Sequence, residues 1–164
     1  IFGELSQPYY YNIYDDKYKL NCILTIVSLL NISIIEGQKI VGLYNLSKII
    51  INIILNEKKW LVDFFLYLLS LLKLIGYDID FNKNKNFKYF DLNSLQFEEK
   101  NKNHYIIFPH GLLEKTEKIN LSNTTSFFKI FENIMQNHHL NNMNLNIPNN
   151  YFKFKKIILE FLSK

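Results

Sequence analysis

The residues able to do chemistry are few and widely spaced. Asp78 and Asp80 form an Asp-x-Asp pair, a spacing at which two carboxylates can share a divalent ion. The pair follows a glycine, and a solvated turn is the commoner fate of such acids. His138 and His139 are adjacent, so on a helix their rings diverge by about 100° and miss the i, i+4 zinc spacing. They are expected at the surface. His104 and His110 flank a short apolar run ending in Phe108-Pro109, with no carboxylate nearby in sequence to orient either ring for acid–base work. There is no glycine-rich phosphate loop and no nucleophile motif with its base. Cys22, the single cysteine, permits neither an internal disulfide nor a thiolate zinc site. It is expected to be a small buried hydrophobe in a reducing cytoplasm. No metal and no cofactor is expected.

The cations offer binding in place of catalysis. Lys83, Lys85 and Lys88 alternate with Phe87, Tyr89 and Phe90, a basic and aromatic mixture suited to single-stranded nucleic acid. A solvated loop beside a hairpin explains the same residues. Lys48, Lys58 and Lys59 lie beside the apolar faces of two consecutive helices, where cations can rim a groove and meet carboxylates. A solvated helix end is the plainer reading. The net charge is +4, but all 19 basic residues are lysine. Without arginine the bidentate readers of guanine and phosphate are missing, which argues against sequence-specific duplex recognition. The abundance of Ile, Asn, Lys, Phe and Tyr is what AT-rich coding produces.

Positioning these residues requires a mainly α domain. At 164 residues, with 48% hydrophobic and 16% aromatic content, one core can form. The central signal is Trp60–Phe81. Trp60, Phe64, Leu68, Leu71 and Ile75 share one helical face, and most other positions up to Gly76 are apolar too. Only Asp63, Tyr67, Ser70 and Lys73 leave a polar stripe. The run is shorter than the ~20 apolar residues a membrane span needs. It therefore reads as a buried helix stopped by Gly76. Asp15 or Asp16 caps an expected helix over 17–32 with Leu20, Ile23, Leu24, Val27 and Leu30 inward. A helix over 39–56 turns Leu43, Leu46, Ile50, Ile53 and Ile54 inward. Short extended pieces are expected at 87–91 and 95–98, joined by an Asn93-Ser94 turn, and at 105–108. A fourth helix starts at Thr124 or Thr125 and reaches Leu140. Residues 141–150 read as a linker, and a last helix after Pro148 buries Tyr151, Phe154, Ile158, Phe161 and Leu162. The expectation is a bundle of about five helices with a small β-hairpin insertion over 82–113. Residues 1–14 read as extended.

One ordered set of features resembles a known family. Leu71-Leu72-Lys73-Leu74-Ile75-Gly76-Tyr77-Asp78-Ile79-Asp80-Phe81 follows the pattern that closes the core helix of bacterial RecO DNA-repair proteins, alphaproteobacterial type. Cys22, Ile35-Glu36 and Leu43-Tyr44 precede it, and Phe108-Pro109 and Pro148 follow it, in the family's order. The chain departs from the family at Leu68, where a glutamate is usual. It also departs near Asn84, where zinc-binding members carry their first cysteine. The resemblance covers nearly the whole chain and is to the C-terminal helical region. It implies that an N-terminal OB-fold is missing, with residues 1–11 as its last strand, and that Ile1 opens a fragment of a longer protein. It further implies a non-enzymatic recombination mediator. Such a protein works with RecR, helps load recombinase on single-stranded DNA and anneals strands. Its helical region receives the acidic tail of single-stranded-DNA-binding protein. Lys48, Lys58 and Lys59 are the candidate partner-binding residues, and Lys83, Lys85 and Lys88 the candidate nucleic-acid contacts. No membrane association is expected. Two other readings stay open: a helical interaction module outside DNA repair, and a small enzyme assembled from His104, His110 and Asp80.

Overall fold

The computed structural model describes residues 13–34, 40–80, 83–100 and 104–164. Residues 1–12 of the expected extended segment 1–14, which include the suggested strand over 1–11, and the Ile35-Glu36 feature lie outside these, as do Phe81 and Asn82. Residues 13 and 14 form a turn, closed where the Asp16 N–H donates to the Ile13 carbonyl at 2.9 Å, and not an extended piece. The described chain is mainly α, with a small three-stranded antiparallel sheet.

Helix α1 (Lys17–Ser33) begins where Asp16 Oδ1 accepts from the main-chain N–H groups of Tyr18 and Lys19 at 3.0 and 3.1 Å. Those donors have no partner inside the helix, so the aspartate satisfies what the helix leaves open. The face that α1 buries differs from the expected one. Cys22, Thr25, Ile26 and Leu29 are fully buried, while Leu24 and Val27 are exposed. The polar Asn21 and Thr25 lie on the buried side, so the apolar period of the helix points away from the face that the fold covers. That side makes hydrogen bonds within the helix and across the fold. The Thr25 hydroxyl donates to the Asn21 and Asn150 carbonyls at 2.8 and 3.1 Å, and Asn150 Nδ2 donates to Ser28 Oγ at 2.7 Å.

Helix α2 (Leu43–Asn56) follows Gly42, whose φ of +88° lies in the left-handed region. Its Ile50 and Ile54 are buried, and Leu43, Leu46 and Ile53 pack beside them, as the spacing requires. Helix α3 (Leu61–Leu74) forms the centre of the core. Phe64, Phe65, Leu68, Leu71 and Leu72 have no exposed surface. Tyr67 belongs to the expected polar stripe but is buried, its hydroxyl beside Ser47 of α2 without a well-formed hydrogen bond. The helix ends in a Schellman motif. The Tyr77 N–H donates to the Leu72 carbonyl at 2.8 Å and the Gly76 N–H to Lys73 at 3.1 Å, with Gly76 at φ +107°.

The insertion is a sheet of three strands. Strand β1 (Tyr89–Asp91) pairs with β2 (Phe97–Glu98) through the expected turn, and on its other edge with β3 (Tyr105–Ile107). The separate apolar piece at 105–108 is thus the third strand of the hairpin. Phe90, Phe97 and Phe108 meet edge-on or tilted, with centroids 4.9–5.8 Å apart, and close this small layer. Helix α4 (His110–Leu113) is one turn that docks Leu112 and Leu113 into the core.

Helix α5 (Leu121–Glu132) starts three residues before Thr124. Asn120 Oδ1 accepts from the Asn123 N–H at 2.9 Å and is the cap, while Thr124 is fully buried. The helix continues as a π-helix over Asn133–Leu140 and a 3₁₀ turn over Asn141–Met143. Residues 144–148 are not a free linker. Gln136 Oε1 accepts from the Ile147 N–H at 3.0 Å, its Nε2 donates to the Leu145 carbonyl at 3.1 Å, and Ile147 is buried. Helix α6 (Asn149–Leu162) then buries Tyr151, Phe154 and Ile158, but Phe161 is 56% exposed. Helix α1 packs most extensively on α6, and α3 on α2.

Candidate functional site

Lys58 and Lys59 sit on the short connection between α2 and α3. Two main-chain bonds define that connection: the Glu57 N–H donates to Ile53 at 2.8 Å, and the Phe64 N–H to Trp60 at 3.0 Å. Lys19 Nζ of α1 donates to the Leu55 carbonyl at 3.1 Å and ties the last turn of α2 to the neighbouring helix. Trp60 is 7% exposed and its ring lies 6.2 Å from that of Phe154, so the two lysines follow a fixed helix end and precede an anchored indole. Both side chains are exposed, and among the described residues neither forms an ion pair or a hydrogen bond.

These lysines border a groove of about 980 Å³. Its apolar wall comes from Trp60, Leu61 and Val62 at the start of α3, Ile119, and Ile158, Phe161 and Leu162 at the end of α6. Tyr18 completes it, meeting Phe161 edge to face with centroids 5.3 Å apart. The far rim is the loop after α4, where Lys115, Thr116, Glu117 and Lys118 face the same space. Lys115, at φ +60°, reaches back to Asp63 at 2.8 Å. Lys118 is without an ion-pair partner among the described residues. Three uncommitted ammonium groups therefore surround an apolar trough that also carries Asp16 and Glu117. The volume is that of a ligand cleft. Its chemistry suits a ligand that pairs carboxylates with apolar side chains.

Sequence reasoning finds Lys58, Lys59 and the start of α3 but misses the other half. Lys115, Lys118 and Ile119 lie more than fifty positions away, and no local pattern links them to Lys58. Phe161 reads as core from its spacing, yet it is the most exposed apolar part of the wall. Lys48 is exposed on α2 and is not among the groove's lining residues.

The second lysine group is largely engaged. Lys83 pairs with Asp80 at 3.0 Å and Lys85 with Glu114 at 2.9 Å, while Lys88 lies 5.8 Å from the centre of the Tyr89 ring. The Lys83 ammonium holds the Asp80 carboxyl below its ordinary range, chiefly by hydrogen bonding, and is itself shifted upward. Asp78 pairs with Lys73 at 3.0 Å, so the two acids of the Asp-x-Asp pair face different lysines. Among the described residues no group of three or more His, Cys, Asp and Glu is placed to hold a metal.

Three of the four histidines have structural partners. His110 Nε2 lies 3.0 Å from the Phe87 carbonyl, with the ring 4.7 Å from that of Phe108. His104 is exposed at the start of β3. Neither they nor Asp80 line the groove or a smaller cavity of about 310 Å³ formed by Phe87, Glu98, Glu99 and Lys100. His138 and His139 are half-buried, contrary to expectation. His138 Nε2 lies 3.2 Å from the Leu92 carbonyl, and the His139 ring stands edge-on to Tyr77 at 5.8 Å. Burial holds His139 below the ordinary imidazole range.

Cys22 is buried and unpaired, and burial pushes its thiol well up. Among the described residues no helix is long and apolar enough to cross a membrane. Comparison with protein-family models, with curated proteins and with solved structures yields no match.

Proposed function

We propose that the groove is a peptide-docking site and that this chain is the partner-binding part of a non-enzymatic recombination mediator of the RecO type. The occupant is the acidic, apolar C-terminal tail of single-stranded-DNA-binding protein. The observation that carries the reading is the pairing of unpartnered Lys58, Lys59 and Lys118 with the trough formed by Leu61, Ile119 and Phe161. Carboxylates of an incoming peptide meet the ammonium groups at the rim, which steers association and fixes register. Its apolar residues displace water from the trough, which supplies most of the affinity. Nothing in this scheme breaks a covalent bond in the ligand.

The identity of the peptide comes from the sequence resemblance. The same resemblance supports a cytoplasmic protein that acts with RecR, helps recombinase load on covered single strands and assists their annealing. Contact with single-stranded DNA through Lys83, Lys85 and Lys88 requires the pairs with Asp80 and Glu114 to give way to phosphates. The ammonium end of each pair is largely exposed, where solvent and salt weaken the attraction, so phosphates can compete for it.

The test is a titration of the chain with the acidic tail peptide. Salt-sensitive binding in the micromolar range that weakens on Lys58→Glu or Lys59→Glu supports the reading. Equal binding of a shuffled acidic peptide assigns the groove to an interaction module outside DNA repair. Absence of binding at low salt removes the docking role.

A further inference from the structure

The groove carries its own carboxylate, and the fold holds that carboxylate aside. Glu117 lies between Thr116 and the unpartnered Lys118 on the far rim. Its side chain lies across Gly111: a Cβ at position 111 would occupy the space of Glu117 Cγ, Cδ and Oε1. The main chain reinforces this, because the N–H groups of Thr116 and Glu117 both donate to the Gly111 carbonyl at 2.9 Å. At its tip, Glu117 Oε2 accepts from Asn123 Nδ2 at 2.9 Å, in the first turn of α5. Although it lines the groove with Lys58, Lys59 and Lys118, Glu117 forms no ion pair with them.

We infer that Gly111 and Asn123 are positioning residues that keep Glu117 from acting as an internal competitor for the groove's lysines. A freely rotating glutamate beside Lys118 would sample positions near the ammonium groups and occupy them in place of an external carboxylate. An intramolecular group acts at a high effective concentration, so even a weak self-contact reduces a ligand's share. Holding Glu117 over Gly111 leaves the lysines open. The missing Cβ at 111 provides the resting place, and the Asn123 amide supplies the hydrogen bond that fixes it. The consequence for binding rests on the reading of the groove as a carboxylate-binding site. The holding of Glu117 does not.

The deciding experiment uses the whole chain and three variants. Asn123→Ala removes the amide but keeps the helix cap, because Asn120 accepts from the Asn123 main chain. It is expected to weaken binding of the acidic tail peptide roughly fivefold, the size of effect one exposed ion pair can exert. Adding Glu117→Gln to Asn123→Ala is expected to restore the lost affinity. Glu117→Gln in the parent chain strengthens binding by clearly less than it does in the Asn123→Ala background, and that non-additivity is the signature of a held carboxylate. Unchanged binding by Asn123→Ala overturns the inference, as does a loss that Glu117→Gln does not repair. Absence of peptide binding by the parent chain defeats the docking reading alone. The holding of Glu117 is then read without peptide, from the side-chain ammonium resonances of Lys58, Lys59 and Lys118. Asn123→Ala should shift at least one of them, and Glu117→Gln should cancel that shift. No shift overturns the inference.

Discussion

The Tyr77 hydroxyl donates to the main-chain carbonyl of His138 at 2.6 Å, across 61 positions of sequence. It joins the residue just after the α3 stop to the π-helix that follows α5. A π-helix opens its hydrogen-bond ring by one residue, which makes a regular run of this kind uncommon. Here outside groups fasten it. Tyr77 holds the His138 carbonyl, His138 Nε2 lies 3.2 Å from the Leu92 carbonyl, and Gln136 binds the chain at 145–147.

Tyr77→Phe removes only the hydroxyl from this arrangement. The expected cost is about 1 kcal/mol of folding free energy, the usual net worth of one hydrogen bond. Denaturant unfolding measures it as a lower midpoint at unchanged slope. Amide exchange should accelerate first in Asn133–Leu140, because the segment loses a tether while the core keeps its packing.

Gly76→Ala tests the helix stop. No atom lies within 4 Å of where the Cβ would stand, so sterics with the rest of the fold contribute nothing. The φ of +107° is the whole problem. A loss of about 1–2 kcal/mol is expected from forcing a side chain into that region. Thermal unfolding gives the readout, and a neutral result would mean that residues 75–77 rearrange without penalty.

Alkaline stability should be limited by two phenols and a thiol. Burial pushes Tyr67 up to about 12, with Ser47 opposing and Cys22 adding to the rise. Tyr151 and Cys22 are shifted upward by burial as well. An acid raised in the folded state keeps its proton longer there than in the unfolded chain. The stabilisation it provides is therefore complete below the unfolded pKa and is lost as pH rises toward the folded value. For Tyr67 that window runs from about 10 to about 12. Tyr67→Phe should flatten the decline there, as measured by denaturant unfolding at a series of pH values.

His139 sets an acid counterpart. Burial depresses its folded pKa, so the unfolded chain binds the proton more readily. Stability is complete above the unfolded value of about 6.5 and falls as pH drops below it, until the folded group also protonates. His139→Gln should reduce the slope of stability against pH below about 6.5. An unchanged slope would assign the titration to other groups.

Legibility of the fold follows the range of the interactions that decide it. The Asp16 cap, the Gly76 stop and the α3 core depend on residues within one helix, and the sequence exposes them. The buried face of α1 depends on Asn150 accepting from Thr25 and donating to Ser28, more than 120 positions away. The polar Asn21 and Thr25 lie on the buried side of α1, against its apolar period, so Leu24 and Val27 are misread as core. The π-helix is equally hidden, since Tyr77 and Leu92 fasten it from outside. The groove is half visible for the same reason. Lys58, Lys59 and Trp60 are contiguous, whereas Lys118, Ile119 and Phe161 join them only through the packing of α3, the loop after α4 and α6.

The dependence of α1 on α6 also bears on synthesis. Ser28 finds its partner, and Thr25 an acceptor beyond the Asn21 carbonyl of its own helix, only when Asn150 has been added. At translation rates of about 5–20 residues per second, an apolar helix waits on the order of ten seconds for the strip that covers it. During that interval Cys22, Ile26 and Leu29 lack their final shelter. Shortening the chain before Asn150 should leave Ile26 and Leu29 uncovered and convert a folding product into an aggregating one, which light scattering of the truncated protein measures.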